Sequence, residues 1–503
     1  MIAPIYTPPP AIIAYKQHDV SQVSFKSNLQ ILEPKAVWAA FEDISKIYRE
    51  SGHCTEISAY LTKRLQKAGF AVKKTKDGSI CAARGLNKDK NNAIILQSHM
   101  DIVGISSDGN PKKPIQMHLK DGWLYANDRT LGADDGIGVA SMLAIADDVK
   151  FKKYPLEMIF TTDEETGMDG AISLTAKDFY GKYLVNIDSE AYGVITKGCA
   201  GISEFSVKEK IKMIPLKSCN YKKISINISG ASGGHSAGIR PDSINPIKVL
   251  ISEIKGKDLN LITLSGGERF NAIPRNAEVE FLINKKNARE FEKTLKAHLD
   301  KIKMDNLDQN PDLTYSVLSE DAEIGIKYIN PKFQTKMLDA LDSVPTGLFT
   351  KFEDNGSTKT SQNLGVLKIA DGEFSVQVMG RSSDLQEGQN LQKATSDIFS
   401  KLFGKPIQVS DTTPIWQPKE NSILSDIAVK SYSAISKGQT PKTQVEHGGL
   451  ESAIFIEKKP DLDEISIGPT LENPHSTKER VKVDTVLPFY NWLSKILETL
   501  AGK

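Results

Sequence analysis

The 503-residue sequence is poor in the features that would tie it to a membrane, a nucleic acid or an oxidising compartment. No apolar stretch approaches the roughly 20 residues that a bilayer-spanning helix needs. There are 64 Lys and Arg against 63 Asp and Glu, a formal net charge of +1, so no basic field exists to attract nucleic acid or anionic lipid. The four cysteines (Cys54, Cys81, Cys199 and Cys219) include no C-x-x-C pair and are too few for a disulfide framework, so they read as reduced thiols. The start carries no charge before Lys16 and is broken by Pro8, Pro9 and Pro10, unlike a signal peptide. The expectation is a cytoplasmic globular protein with no membrane or nucleic-acid partner. Residues 1–30 are expected to form an extended tail.

What the chain does have is alternation. Helical periodicity covers "PKAVWAAFEDISKIYRES" and "EISAYLTKRLQKAGF". Apolar strands follow at "AIILQSH", "LEMIFTT" and "YLVNID", with the helix "GIGVASMLAIADDV" between the first two. The pattern resumes late in the chain, at "SILSDIAVKSYSAIS", "DEISIGP" and "TVLPFYNWLSKILETLAG". Such alternation predicts an α/β domain, a mainly parallel mixed sheet covered by helices. The middle reads differently. Strand, helix, paired strands and helix occur twice, from "KKISINISG" to "AREFEKTLKAHLDKIK" and from "DLTYSVLS" to "LQKATSDIFSKLF". The expected organisation is a catalytic domain over 31–207 and 413–503, with an α+β domain of two similar units inserted at 208–412.

The apolar strands end on chemistry. "AIILQSHMDIVG" delivers His99 and Asp101, which lie two positions apart and so project to one side of extended chain. A metal-bound imidazole needs an acceptor on its other nitrogen, and Asp101 suits that support. Other strands deliver Asp163, Glu164 and Glu165, then Asp188, then His475 after a Gly-Pro turn, while Asp134 and Asp135 open a helix. Each has an ordinary explanation when taken alone. Aspartates cap helices, glutamates after strands are surface charges, and a lone histidine is usually a satisfied surface residue. In open α/β sheets, however, ligands gather beyond the carboxyl ends of the strands, and all these groups fall at such ends. Imidazoles and carboxylates without thiolate suit catalytic zinc, manganese or cobalt. Two ions about 3.5–4 Å apart would share one carboxylate and activate a water. Of Glu164 and Glu165, one could then be a ligand and the other a general base.

The ordered set HMD, GADDG, DEETG, NIDSE and PHS resembles the co-catalytic di-zinc aminopeptidase and dipeptidase superfamily. With "KGCAGI", "GGHSAG", "FNAIPR", "HGGLE" and "GPTLENPHS", the chain from about residue 31 onward is similar to aminoacyl-histidine (Xaa-His) dipeptidases. The resemblance implies that His99 and Asp188 hold one zinc, Glu165 and His475 the other, and Asp134 bridges them. It implies Asp101 as the support of His99 and Glu164 as the base. In the insert it implies four substrate-binding residues. His235 would steady the oxyanion, Asn271 would contact the substrate, and Arg381 would take the C-terminal carboxylate; His447 would line the pocket. The implied activity is hydrolysis of dipeptides, carnosine-like Xaa-His compounds among them, with two Zn2+ and cobalt or manganese as alternatives. The insert would act as a lid, and both a monomer and a homodimer are compatible. The chain departs from the family pattern at Asp135, where GADNG is common, and at Ile202 and Ser452, changes that bear on substrate preference. The rival readings are a tripeptidase, a broad dipeptidase, an N-acyl amino-acid deacylase and a non-catalytic peptide-binding relative.

Overall fold

The computed structural model describes residues 29–86, 93–353 and 356–502. The expected tail therefore lies almost wholly outside the described residues. The chain forms two compact units, one of residues 29–195, 422–442 and 461–502, the other of residues 196–421 and 443–460. These divisions differ from those read in the sequence. Gly201–Lys210, expected in the first domain, pairs along its whole length with Glu373–Ser382 in the second unit's sheet. Asp411–Thr413 pairs on the other edge of Gly201–Lys210. Backbone pairing of this kind leaves no mark in composition, so a change of pattern could not locate the boundary.

In the first unit six strands of a larger sheet run in the order Ala71–Lys74, Ile80–Arg84, Leu156–Thr161, Ile94–His99, Tyr183–Asn186 and Asp463–Ser466. The last four are parallel neighbours, while the first two are antiparallel additions. The result is the mixed, mainly parallel sheet that the alternation predicts. Ile94–His99 and Leu156–Thr161 are buried at every position, as strands covered on both faces must be. The helix Ala133–Asp147 is buried all round because it packs within the core. Lys35–Ile44 turns Val37, Trp38, Phe41 and Ile44 inward at helical spacing.

That helix stops at Ile44, short of the residue 51 that periodicity suggests. The chain beyond it becomes extended, and Glu50 bridges to Ile102 beside the buried Arg49. A small antiparallel sheet, in the order Leu471–Glu472, Arg480–Lys482, Trp123–Ala126 and Met117–Lys120, completes the unit. These strands were not legible, since two to four residues are too few to show a period.

The second unit is one nine-stranded sheet with the helices Pro246–Ile254, Lys285–Asp305, Pro331–Ser343 and Leu385–Phe403. Its strands alternate buried and open positions, as Gly201–Lys210 does, so one face carries the core. The repeated element order is present, but both halves feed a single sheet and a single apolar cluster around Phe205, Phe281, Phe374 and Phe399. Among the described residues, no helix is long and apolar enough to cross a membrane.

Candidate metal centre

Register explains why distant residues meet in the first unit. His99, the last residue of its strand, pairs with Thr161, and Gln97 pairs with Asn186. Ser466 also pairs with Asn186. Four strands therefore end level, and whatever follows each of them is delivered to one place. Asn186 fixes the turn after its strand, because its Oδ1 accepts the Asp188 backbone N–H at 3.2 Å. Asp163 adopts a left-handed conformation (φ 57°) that aims Glu164 and Glu165 back across the sheet end.

The donor atoms form two groups joined by one carboxylate. His99 Nε2 lies 3.1 Å from Asp134 Oδ1 and 3.3 Å from Asp188 Oδ1. His475 Nε2 lies 3.0 Å from Asp134 Oδ2 and 2.8 Å from Glu165 Oε2. Asp134 thus turns one oxygen to each imidazole. Zinc bonds of about 2.0–2.1 Å place tetrahedral ligands about 3.3 Å apart, close to the spacing within each group. Glu165 Oε1 is buried without a hydrogen-bond partner, a polar atom that a cation would satisfy. The donor set and its spacing fit a pair of divalent ions.

Glu164 falls in a third grouping with His99 and Glu165. Asp101 does more than support an imidazole. Its carboxylate lies 3.5 Å from His99 Nδ1, farther than the Asp101 carbonyl at 3.2 Å. The carboxylate also accepts the Glu164 and Glu165 backbone N–H groups at 3.2 and 3.3 Å and the Ser51 hydroxyl at 2.8 Å. One residue therefore ties the His99 strand to the acidic turn. Ser51 had no signal in the sequence.

Electrostatics follow from packing carboxylates and imidazoles together. Burial opposes a charged His99, but the Asp188 charge and hydrogen bonds to Asp101, Asp134 and Asp188 outweigh it, so its pKa is raised. His475 is likewise held against burial by Asp134 and Glu165 and is pushed up to about 11. Burial would raise Asp134, yet the two imidazoles hold it far below the usual carboxylate range. Asp188 is raised to about 6 by burial, against the pull of His99. Burial and the Asp188 charge push Asp135 up strongly. A carboxyl kept neutral there resembles the asparagine more common at that position. Asp135 also accepts the Gly138 N–H at 3.2 Å and so caps the helix, while Asp134 faces the histidines. The helix-cap and site explanations of this pair both hold, one for each residue.

The four substrate-binding candidates lie in the second unit. Arg381 is 3% exposed, and its Nε donates to Ser236 Oγ at 3.1 Å. Its Nη2 is 3.5 Å from His235 Nε2, and its Nη1 is buried without a partner. The Asn271 carbonyl accepts the Ser236 N–H at 2.8 Å, which brings that segment beside His235. Ser361, paired across the sheet with Arg381, lies 2.8 Å from His447 Nε2. Burial and the Arg381 charge lower His447 to about 4, so the imidazole is neutral. Ser236 and Ser361 join this cluster without a motif of their own.

A buried sheet-end site of two imidazoles and bridged carboxylates, with a second carboxylate beside them, defines a metallopeptidase-type hydrolase. The sequence profile of Peptidase family M20/M25/M40 matches residues 95–499, and the chain belongs to that family. It is 29% identical over 493 residues to the cytosol non-specific dipeptidase of Escherichia coli (strain K12), covering 95% of this chain and 100% of that one. The aminoacylhistidine dipeptidase of Vibrio alginolyticus superposes with a TM-score of 0.80 at 28% identity, covering 94% of this chain and 98% of its own. A tripeptidase of Staphylococcus aureus shares the fold, with a TM-score of 0.58 at 16% identity over 94% of this chain and 100% of its own.

Proposed function

We propose that this metallopeptidase is a cytoplasmic dipeptidase that uses two zinc ions and acts on Xaa-His dipeptides, carnosine-like compounds included. The observation that carries the proposal is the Asp134 carboxylate, with one oxygen toward His99 and the other toward His475. In this reading His99, Asp188 and Asp134 hold one ion, and His475, Glu165 and Asp134 hold the other. The ions supply Lewis acidity and lower the pKa of a water shared between them. Glu164 takes the proton of the attacking water and hands it to the leaving amine. Asp101 acts as an orienting residue, fixing His99 on one side and the backbone of Glu164 on the other. Arg381 offers the unpaired Nη1 of a desolvated guanidinium to the substrate's terminal carboxylate. His235 donates to the carbonyl oxygen as it gains charge, while Asn271 and His447 line the substrate.

The preference for a C-terminal histidine is supported by the likeness to the Vibrio enzyme. A broad dipeptidase is the second reading, favoured by the name of the E. coli relative, which also supports the cytoplasmic location. The test is metal analysis of purified protein together with turnover of β-alanyl-histidine, alanyl-alanine, a tripeptide and an N-acetyl amino acid. Two ions per chain and fastest cleavage of β-alanyl-histidine are expected. Equal rates on both dipeptides would select the broad reading, and cleavage of the acetylated compound alone would overturn both.

A further inference from the structure

The ligands stand on separate loops, and two buried charged residues outside the donor set hold those loops together. Glu479 is 2% exposed, and its carboxylate accepts three successive backbone N–H groups, Gly132 at 2.9 Å, Ala133 at 2.7 Å and Asp134 at 3.2 Å. It lies four positions after His475, and its own N–H is bonded to the Ser476 carbonyl. Arg49 is 1% exposed and grips the same loop from the other side, its Nη2 donating to the Gly132 carbonyl at 2.6 Å. Its Nη1 donates to the carbonyls of Met100 at 2.9 Å and Asp101 at 3.3 Å, directly after His99. The Gly132–Ala133 peptide is thus held at its oxygen by a cation and at its N–H by an anion. Two glycines make room for this. A Cβ on Gly136 would stand 2.5 Å from Arg49 Nη2, and one on Gly132 3.0 Å from it.

We propose that Arg49 and Glu479 are a positioning pair that fixes the bridging carboxylate of Asp134 relative to His99 and His475, and so sets the affinity for both metal ions. This rests on the two-metal reading above. Neither side chain belongs to the ligand groupings; each acts through backbone groups of the segments that carry ligands. A guanidinium can reach two loops at once because its donors diverge, which a lysine ammonium on one stem cannot match. A glutamine at 479 keeps the shape but turns an N–H2 toward backbone donors and leaves the Arg49 charge uncompensated.

The experiment titrates metal-depleted full-length protein with Zn2+ against a chromophoric chelator and records the absorption spectrum of the Co2+-loaded form. Glu479→Gln should weaken binding of both ions by about 10- to 100-fold, the range found when groups supporting metal ligands are removed, and should alter the cobalt bands. Arg49→Lys should do the same, and it carries the test if Glu479→Gln does not fold. Glu157→Gln is the control, because that buried carboxylate accepts the Tyr180 and Gly181 N–H groups away from the ligand loops. It should lower the melting temperature and leave both affinities unchanged. Variant affinities within threefold of wild type with an unchanged cobalt spectrum would overturn the pairing. So would an equal loss in Glu157→Gln, or failure of both paired variants to fold, since each would reduce the pair to a general core element. If wild-type protein binds no ions, the metal reading itself falls instead.

Discussion

Loading the centre with metal should expel protons, and their number follows from the geometry. In the metal-free site His99 and His475 sit against Asp134, Asp188 and Glu165, and both imidazoles have raised pKa values, His475 at about 11. Near pH 7.5 both rings therefore carry a proton on a nitrogen that a cation would use. A metal ion accepts only neutral imidazole, so loading both positions releases at least about two protons. Free imidazoles with a pKa of about 6.5 would hold only about 0.1 proton each at that pH, about 0.2 in all. The two cases differ tenfold. Isothermal titration calorimetry of Zn2+ binding in buffers of different ionisation enthalpy reads the number directly from the slope. A value under about 0.5 would refute the reasoning, since it would mean the imidazoles are not held by those carboxylates. The pH dependence has a definite sign. Each released proton costs about 1.4 kcal/mol of metal affinity per pH unit of acidification, so two weaken the combined affinity by about a hundredfold per unit. The metal-free fold behaves oppositely. Its imidazoles have folded pKa values above the unfolded one, so their contribution is complete below about 6.5 and is lost as pH rises toward the His475 value of about 11.

Two further outcomes test the roles assigned to single side chains. Glu164→Ala should lower kcat by about 10²- to 10⁴-fold while metal analysis still finds two ions per chain; unchanged turnover would remove Glu164 as the base. Arg381→Lys should lower kcat/KM by about 10- to 150-fold, the equivalent of about 1.5–3 kcal/mol for a hydrogen bond to a charged group, and a dipeptide amide should suffer a similar loss with the wild-type enzyme. If the variant discriminates between acid and amide as strongly as wild type, Arg381 does not read the carboxylate.

Much of the centre was legible in the sequence because the sheet converts sequence into position. A buried strand that ends in His99, aligned with Thr161 and Asn186, leaves the residues that follow little choice of where to go. Motifs at several strand ends therefore reinforced each other, and the residues expected as ligands do meet. The support of His99 was only partly legible. Alternation puts Asp101 on the correct side, but it cannot show that the carboxylate is shared with the N–H groups of Glu164 and Glu165, whose identity as acceptors of help lies in the backbone. The same limit hid the course of the second unit's sheet, whose pairings join Gly201–Lys210 to strands about 170 and 200 positions later.

Arg49 and Glu479 show the limit most clearly. Arg49 falls in a run that reads as the last turn of a helix, and Glu479 in a charged stretch, "STKERVK", that reads as surface. Burying either costs several kcal/mol unless its hydrogen bonds are met, yet every recorded hydrogen-bond partner of both is a backbone carbonyl or N–H. Any residue can supply those groups, so no complementary side chain appears elsewhere in the chain to betray the pair. The trace that does survive is negative space. Gly136 must lack a Cβ because a guanidinium lies 2.5 Å from where it would be, and Gly132 must be small for the same reason and must also turn with φ 67°. The glycines of GADDG that looked like punctuation around two aspartates are therefore also the imprint of an arginine more than 80 positions earlier in the chain.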